Sequence, residues 1–390
     1  MLDILDSDHL EKIDYYDIHI QLILNHGMEY VSMDEIIIEF TDREGKERKL
    51  EIEDDSISSL NLSRQKIVSI KLETLEGLED LKELDLGSND ISRIDLTPLE
   101  KLPKLEALNL FKNELEQIDL SQLIGCSNLK DLNLGTNKIS SIDFNPIAKF
   151  KSLTRLRLFN NQIATLDLRP FSKCTTLEML EIENNQVNEL NLKPLSNCTN
   201  LIQLNFMYNS LTQLDLEPLA TCTKLKYLYL HHNSLKSIDL KPLENCVDLR
   251  ILRLGGNNLE HIDLRPLAQC RELLRLGLAM NALEEVDLSP LIGLKKITSL
   301  DIASNRLSSI DLQPLSKWKA LTELYLYSDH KDEMNAFKEI DISPLFKCEE
   351  LEDIGIGHET MIQAKTSLAK ASEIPLAIEE LIEDDRITWI

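Results

Sequence analysis

Residues 81–104 read Leu-Lys-Glu-Leu-Asp-Leu-Gly-Ser-Asn-Asp-Ile-Ser-Arg-Ile-Asp-Leu-Thr-Pro-Leu-Glu-Lys-Leu-Pro-Lys, and this 24-residue pattern recurs along the chain. Copies begin at Ile57 and Leu81 and then every 24 residues as far as Leu321, which makes twelve; a partial thirteenth begins at Leu351. Self-similarity at a fixed period is typical of a repeat architecture, in which each unit packs only on its neighbours. The 390 residues are therefore expected to form one stack of repeats and not several globular domains.

The first half of each unit predicts one short strand. Leu84 and Leu86 alternate with polar or small residues, which is the period-2 pattern of a strand with one buried face. The ninth position is Asn in ten consecutive copies, where its amide can satisfy backbone groups as the chain turns off the strand, so we interpret this row as structural. The row comprises Asn89, Asn113, Asn137, Asn161, Asn185, Asn209, Asn233, Asn257, Asn281 and Asn305.

The second half of each unit predicts a short turn on the opposite side. In Ile94-Asp-Leu-Thr-Pro-Leu99 the proline suits the first turn of a short or 3₁₀ helix, and leucines follow at threefold spacing. The aspartate before each turn can accept backbone N–H bonds, which favours a structural role for this row over a metal-binding or catalytic one. The row comprises Asp95, Asp119, Asp143, Asp167, Asp215, Asp239, Asp263, Asp287, Asp311 and Asp341, with Asn191 in one copy.

All seven cysteines share the twenty-second position of the repeat. Leu, Phe or Trp takes that place in other copies, so we expect buried, reduced thiols at an apolar site. Five of them follow in consecutive repeats, which leaves a disulfide or a metal site open as an alternative. The odd total and an acidic start without a secretion signal predict a cytoplasmic protein. The cysteines are Cys126, Cys174, Cys198, Cys222, Cys246, Cys270 and Cys348.

The charge balance narrows the class of partner. Lys and Arg number 42 against 67 Asp and Glu, and the net charge of -25 repels both nucleic-acid phosphate and anionic lipid. Apolar residues occur singly or in twos and threes, far short of a membrane span. We therefore expect a monomer with a protein partner, and neither nucleic acid nor a membrane.

This pattern of Leu and Asn resembles that of leucine-rich-repeat proteins of the intracellular and bacterial kinds, including the internalin-like and phosphatase-regulator types, over residues 57–357. The resemblance implies an α/β solenoid: a horseshoe with a parallel concave β-sheet and a mostly irregular or 3₁₀ convex side. The unit is longer than the about 22 residues usual in those relatives and shorter than the about 28–29 of the ribonuclease-inhibitor and Ran GTPase-activating types. The Ile-Asp-Leu-x-Pro-Leu-x-x-Cys motif of the unit also looks similar to repeats of archaeal proteins. No residue role is carried over.

Both ends of the stack require caps, because terminal repeats would expose their apolar core. Residues 1–56 are predicted to form the first cap, with a helix over 8–24 and a hairpin of 35–40 and 48–53 around 42–46, whose second strand can continue into the sheet. Residues 358–390 are predicted to form the second cap, with helices over 360–371 and 375–382 and a strand over 386–390.

Candidate binding residues occupy the third, fifth and seventh positions, which point away from the core, and the adjoining eighth. Tyr, Met and Arg, which are enriched at protein interfaces, cluster there in repeats five to ten and again at repeat twelve, beside a lengthened loop. The alternative is that these side chains simply pack across the sheet. The candidates are Arg155, Arg157, Phe159, Met179, Glu181, Met207, Tyr208, Tyr227, Tyr229, His231, Arg253, Arg275, Tyr325 and Tyr327.

No enzyme motif is present in the sequence, so we expect neither catalysis nor a cofactor or metal. Glu181 and Glu183 share one strand face, but an open sheet lacks the dry pocket that acid/base chemistry needs. His231 and His232 should alternate in direction along a strand, which argues against a shared metal. The sequence thus predicts a non-enzymatic scaffold for protein–protein interaction; the alternatives are a regulator of a GTPase or phosphatase, and a small-molecule or glycan binder.

Overall fold

The computed structural model describes residues 36–52, 56–327 and 335–390. The strands of the described residues are β1 Ile36–Asp42, β2 Glu47–Ile52, β3 Ser59–Asn61, β4 Ile67–Ile70, β5 Glu83–Asp85, β6 Ala107–Asn109, β7 Asp131–Asn133, β8 Arg155–Arg157, β9 Met179–Glu181, β10 Gln203–Asn205, β11 Tyr227–Tyr229, β12 Ile251–Arg253, β13 Arg275–Gly277, β14 Ser299–Asp301, β15 Glu323–Tyr325, β16 Glu339–Asp341, β17 Asp353–Gly355, β18 Met361–Ala364 and β19 Ile387–Trp389. Thirteen of these strands form one sheet in the order β17-β15-β14-β13-β12-β11-β10-β9-β8-β7-β6-β5-β3, and two further sheets have three strands each, β2-β1-β4 and β16-β18-β19.

The thirteen-stranded sheet is parallel and keeps one register throughout. Leu84 pairs with Leu60 on one side and with Leu108 on the other, so that the same position of each repeat meets its copy in the next. These fourth-position leucines are fully buried, whereas the third and fifth positions mostly stay partly exposed. The structure confirms the predicted solenoid with a parallel concave sheet.

The convex side consists of 3₁₀ turns, as expected. Ten of the thirteen turns carry a proline in their first two positions, and a single α-helix, α1 Leu376–Glu383, occurs in the described residues. The 3₁₀ turns are Leu72–Leu75, Thr97–Lys101, Leu120–Leu123, Asn145–Lys149, Arg169–Lys173, Lys193–Asn197, Glu217–Thr221, Lys241–Asn245, Arg265–Gln269, Ser289–Leu291, Gln313–Lys317, Ser343–Lys347 and Thr366–Leu368.

The two polar rows have the structural roles predicted for them. The Asn113 side-chain oxygen accepts the N–H of Ile91 at 3.1 Å, and its Nδ2 donates to the carbonyls of Leu86 at 3.0 Å and Leu110 at 3.1 Å. Each aspartate of the convex row accepts the N–H two residues on, as Asp95 does from Thr97 at 3.0 Å. Both rows therefore satisfy backbone groups that the turns would otherwise leave unpaired.

The eighth position of the repeat is left-handed, a feature that the repeat pattern did not reveal. Its φ lies near +50° to +61° in eleven consecutive copies, including Tyr208, His232 and Met280. This conformation costs free energy for most residues other than Gly and Asn, so the contacts of the turn that follows the strand must stabilise it. A consequence is that the eighth side chain does not follow the alternation of the strand.

Repeat twelve keeps its asparagine in spite of the lengthened loop. Residues 328–334 lie outside the described residues, and the chain returns with Asn335, whose Nδ2 donates to the carbonyls of Ile302 at 3.0 Å and Leu326 at 2.8 Å. In the sequence of this repeat, the extra residues therefore come after the strand and before the asparagine.

The N-terminal hairpin is confirmed, but its link to the sheet is different from the prediction. Strands β1 and β2 are antiparallel, with Gly45 at φ 74° in their turn. Neither hairpin strand continues into the concave sheet: β1 pairs antiparallel with β4, and β2, β1 and β4 form a separate three-stranded sheet. The helix predicted over 8–24 lies outside the described residues.

The C-terminal region differs from the prediction at one element. The helix expected over 360–371 is wrong: Met361–Ala364 is a strand, which pairs in parallel with β16 and β19, and only a short 3₁₀ turn follows. Ile362 and Ala364 are buried and alternate with more exposed neighbours, so a period-2 pattern outweighed helix propensity. The second helix and the final strand are confirmed.

All seven cysteines are buried with free thiols, as the apolar site predicted. Within the described ranges, no helix combines the length and apolar character needed to cross a membrane.

Candidate binding surface on the concave face

All fourteen predicted binding residues lie on the concave strands or directly after them. Tyr208 is exposed over 44% of its surface and the other thirteen are partly buried, so they line the face instead of projecting far from it. Adjacent strands are ~4.8 Å apart, and the six strands from β8 to β13 therefore span about 24 Å. This length suits a helix or an extended segment of another protein.

Two predicted binding arginines belong to an ion-pair network within the sheet. Arg155 Nε lies 2.8 Å and Arg157 Nη1 lies 2.7 Å from the two carboxylate oxygens of Asp131 on the preceding strand. Arg157 Nε also lies 3.4 Å from Glu181 on the next strand, and Gln203 donates to Glu181 at 2.6 Å. Much of the role of these two arginines is therefore to pack and pair across the sheet, which is the alternative to a binding role.

Four rings form an aromatic cluster at repeats seven and eight. His232 stacks on Tyr208 with ring centroids 4.2 Å apart and an interplanar angle of 13°. His231 meets Tyr208 edge-on at 5.8 Å and Tyr229 at 6.2 Å. The two histidine rings lie 5.4 Å apart, so the expectation that they point in opposite directions is wrong. The reason is that both follow the end of β11, and His232 has the left-handed conformation.

Several large concave side chains lie flat against a glycine of a neighbouring repeat. A Cβ on Gly135 would stand 2.6 Å from the Phe159 ring, and one on Gly277 would stand 2.8 Å from Arg253 Cδ. Arg253 therefore packs against Gly277 of repeat ten, and its charge also helps to lower the pKa of His231. Glycine at these positions leaves room for the neighbouring side chain.

The other end of the surface is organised by Tyr325 and Tyr327. The Tyr325 hydroxyl donates to Asp353 Oδ2 at 2.7 Å, and burial together with this carboxylate raises the pKa of the phenol. A Cβ on Gly357 would stand 3.0 Å from the Tyr327 ring. Both tyrosines are thus oriented by the last repeat.

Glu183, which is not among the candidate binding residues, is the most unusual polar group of the face. Its Oε2 and the Nδ1 of His231 are the two buried side-chain atoms without a hydrogen-bond partner among the described residues. Burial and the neighbouring Glu181 raise the pKa of Glu183 to about 8, and burial lowers that of His231 to about 3. The spatial neighbours of Glu183 cause this pKa shift. The sequence alone does not reveal it, since there Glu183 looks like any exposed acidic residue on a strand.

The described residues contain no group of three or more His, Cys, Asp or Glu side chains placed to hold a metal ion. Two hollows of about 460 and 710 Å³ lie beyond the concave strands, one lined by tenth, twelfth and thirteenth repeat positions around Glu284 and the other by thirteenth to sixteenth positions around Asn191.

Two family models match the repeats. A model described as leucine rich repeat matches residues 55–115 and 104–163, and one described as BspA type leucine rich repeat region, in six copies, matches residues 149–274. The chain is a leucine-rich-repeat protein of the bacterial type. Among curated proteins, no sequence matches this leucine-rich-repeat chain.

Solved structures share its fold. An internalin from Listeria monocytogenes is 28% identical with a TM-score of 0.59, over 78% of this chain and 88% of that one. A leucine-rich-repeat protein of Leptospira interrogans is 20% identical with a TM-score of 0.70, over 85% and 83% of the two chains. The ectodomain of a plant membrane receptor kinase from Arabidopsis thaliana, in complex with Casparian strip integrity factor 2, is 22% identical with a TM-score of 0.60, over 78% and 39%.

Proposed function

We propose that this leucine-rich-repeat protein is a non-enzymatic scaffold that binds a partner protein on its concave face between repeats five and ten. The observation that supports this proposal is the row of Tyr, Met and Arg side chains that the parallel sheet brings together over about 24 Å. Leucine-rich repeats commonly serve as protein-binding scaffolds, and the plant receptor ectodomain was solved with a bound factor. Repeats share a scaffold and not a ligand, so the surface itself must identify the partner.

The arrangement of the aromatic residues supports this surface. Tyr227 and Tyr229 lie on the two outward positions of β11, near the middle of the six strands, and Tyr208 adds an exposed ring beside them. Central aromatic side chains tend to carry most of the binding energy of an interface, while the residues around them exclude water.

The test is affinity capture from a lysate of the source organism, with wild type and Tyr227→Ala/Tyr229→Ala as paired baits. A doubly substituted control, Glu217→Ala/Lys241→Ala, changes exposed residues at the start of two convex turns. We expect a protein that wild type and the control retain and the tyrosine variant loses. Equal retention by all three baits contradicts the concave site, and loss only from a Tyr325→Ala/Tyr327→Ala bait moves it to repeat twelve.

Regulation of a GTPase or phosphatase and the binding of a small molecule or glycan stay predictions, as do a cytoplasmic location and a monomeric state. Among the described residues no feature favours either alternative function over a protein partner.

A further inference from the structure

Three neighbouring strands of the concave face carry positive charge and no negative charge, although the whole chain is acidic. The strand segments of repeats eight, nine and ten are residues 226–232, 250–256 and 274–280, and we call them the basic patch. They hold four Lys or Arg residues and no Asp or Glu, whereas the chain holds 42 Lys and Arg against 67 Asp and Glu. The four cations are Lys226, Arg250, Arg253 and Arg275. The basic patch lies within the proposed concave binding surface.

Acidic side chains border the basic patch but do not lie inside it. Asp248 and Glu272 come just before the strand segments, at the twenty-fourth position of repeats eight and nine. Glu272 is paired with Lys296 at 2.6 Å, and that bond is the main cause that lowers the pKa of Glu272, while the charge of Arg250 has the smallest effect. Along the sheet, the nearest acids within strands lie on β9 and β14, outside the patch; they are Glu181 and Asp301.

Lys226 and Arg250 are the cations of the patch whose side chains form no hydrogen bond or ion pair with the described residues. Both occupy the second position of their repeats, directly before β11 and β12, and both are partly buried. Side chains at this position meet across neighbouring repeats elsewhere in the stack, since Lys130 Nζ lies 2.8 Å from Glu106. The strands β11 and β12 are ~4.8 Å apart, so Lys226 and Arg250 place two like charges side by side.

This pair of like charges has an unfavourable free energy in the isolated protein. Like charges that face each other on neighbouring strands are destabilising. Lys149 and Lys173 also occupy equal positions of adjacent repeats, but they are exposed on the convex side, where solvent screens their repulsion. Lys226 and Arg250 are less exposed than that convex pair. An anion from outside the chain that binds both of them would relieve their repulsion.

Small residues leave room for such an anion next to the two cations. The seventh position is Gly255, Ala279 and Ala303 in repeats nine to eleven. The three atoms nearest to a Cβ on Gly255 would be backbone atoms of Ala279, the first at 3.0 Å. The backbone of a partner can therefore approach the sheet closely at these repeats.

We propose that the basic patch binds an acidic segment of the partner protein, whose carboxylates are held by Lys226 and Arg250. Hydrogen bonds between a cation and a carboxylate are stronger than those between neutral groups. Arg253 and Arg275 also interact within the protein, so they add positive charge to the patch without being needed as direct ligands. This inference rests on the proposed function, since it names the chemistry of the partner at the proposed concave face.

The negative net charge of the chain does not prevent this interaction at physiological salt. Charges in water are largely screened beyond a Debye length, which is about 8 Å at this ionic strength. The potential that a bound segment experiences at the basic patch is therefore set mainly by the charges of the patch and its borders.

The test uses defined probes and the full chain, with binding measured by calorimetry in about 0.15 M salt. The probes are acetylated hexaglutamate amide, its neutral counterpart hexaglutamine amide, and a thymidine hexanucleotide. We expect saturable binding of hexaglutamate that is at least about fivefold tighter than that of hexaglutamine, because only the carboxylates form charge-assisted hydrogen bonds. The hexanucleotide should bind more weakly than hexaglutamate.

Matched variants locate the site. Lys226→Gln/Arg250→Gln should lower the affinity for hexaglutamate at least about fivefold. Lys149→Gln/Lys173→Gln removes the same charge from two adjacent repeats on the convex side and should bind like wild type. Thermal unfolding supplies a second readout: because Lys226 and Arg250 repel each other, their variant should be at least as stable as wild type.

Four outcomes overturn the proposal. They are equal binding of the two peptides, unchanged binding by Lys226→Gln/Arg250→Gln, a clear loss of stability in that variant, and tighter binding of the hexanucleotide than of hexaglutamate. The third would make the two cations structural, and the fourth would assign the patch to a nucleic acid. The capture experiment with the tyrosine variant is independent of these probes, so a concave face whose partner is not acidic is distinguished from one that binds no partner.

Discussion

The side-chain oxygen of Asn335 accepts the backbone N–H of Leu307 at 3.0 Å, although 28 residues separate them in place of the usual 22. Asn335 therefore continues the asparagine row across the lengthened repeat twelve, and the row is what joins successive turns off the strands. A loop can be inserted before this asparagine without interrupting the stack.

Replacing Asn335 should destabilise the C-terminal end of the stack. Asn335→Ala leaves the Leu307 N–H and the Leu326 carbonyl without the side chain that pairs them, while the Ile302 carbonyl keeps its bond from Asn305, and we expect a loss of about 1–3 kcal/mol in the free energy of unfolding. Chemical denaturation measures it. Asn258→Ala removes an exposed amide and should change stability little; an equal effect of both variants would refute the structural role of Asn335.

The ion pairs of Asp131 should contribute more than those on the convex surface. Asp131→Asn weakens contacts to Arg155 and Arg157, and the side chains of Asp131 and Arg157 are only 17% and 16% exposed, so we expect a loss of about 1–3 kcal/mol. Glu272→Gln, which breaks the exposed pair with Lys296, should change stability much less, because solvent screens that pair. Equal losses in urea denaturation would mean that the network is no better protected from solvent than the surface pair.

Glu183 should make the protein less stable as the pH rises. Its folded-state pKa of about 8 exceeds the ordinary value of 4.5, so between these values the unfolded chain releases a proton that the folded protein retains. The stability present below pH 4.5 is therefore lost as the pH rises toward 8. Glu183→Gln should be increasingly more stable than wild type across this window. Thermal unfolding of both proteins, with Glu189→Gln as control, checks the trend; a constant difference would show that Glu183 ionises normally.

His231 should have the opposite effect on the acidic side. Burial, His232 and Arg253 lower its pKa from 6.5 to about 3, so the unfolded chain takes up a proton in this window and the folded protein does not. Stability present above pH 6.5 is thus lost as the pH falls toward 3. His231→Phe should suffer less from acid than wild type, and exposed His261→Phe controls for the loss of a histidine. Identical acid unfolding of wild type and His231→Phe would contradict the neutral buried ring.

The thiols should be inert in the folded protein. All seven are buried, and burial raises the pKa of Cys126 to about 11 and that of Cys198 to about 12, while the thiolate is the reactive form. A thiol reagent should label none of the seven before unfolding and all of them in denaturant. Rapid labelling of a native thiol would show that this part of the core opens to solvent.

The sequence by itself determined the fold of the repeats. Leu84, Asn89, Asp95 and Pro98 recur at one phase, and burial, turn and 3₁₀ roles follow from their spacing because each role is local to one unit. The same reasoning failed at Met361–Ala364, where the repeat ends and a short apolar segment is ambiguous between helix and strand until its neighbours are known.

Only the tertiary structure decided what the concave side chains do. Residues 24 apart become neighbours ~4.8 Å apart, so the fate of each side chain depends on the repeats beside it. Arg157 pairs with Asp131, Arg253 packs against Gly277, and among the described residues Glu183 Oε2 and His231 Nδ1 have no hydrogen-bond partner. The repeat pattern determines which side of the sheet a residue faces. The neighbouring side chains determine which rotamer a long side chain adopts, and therefore toward which repeat it extends.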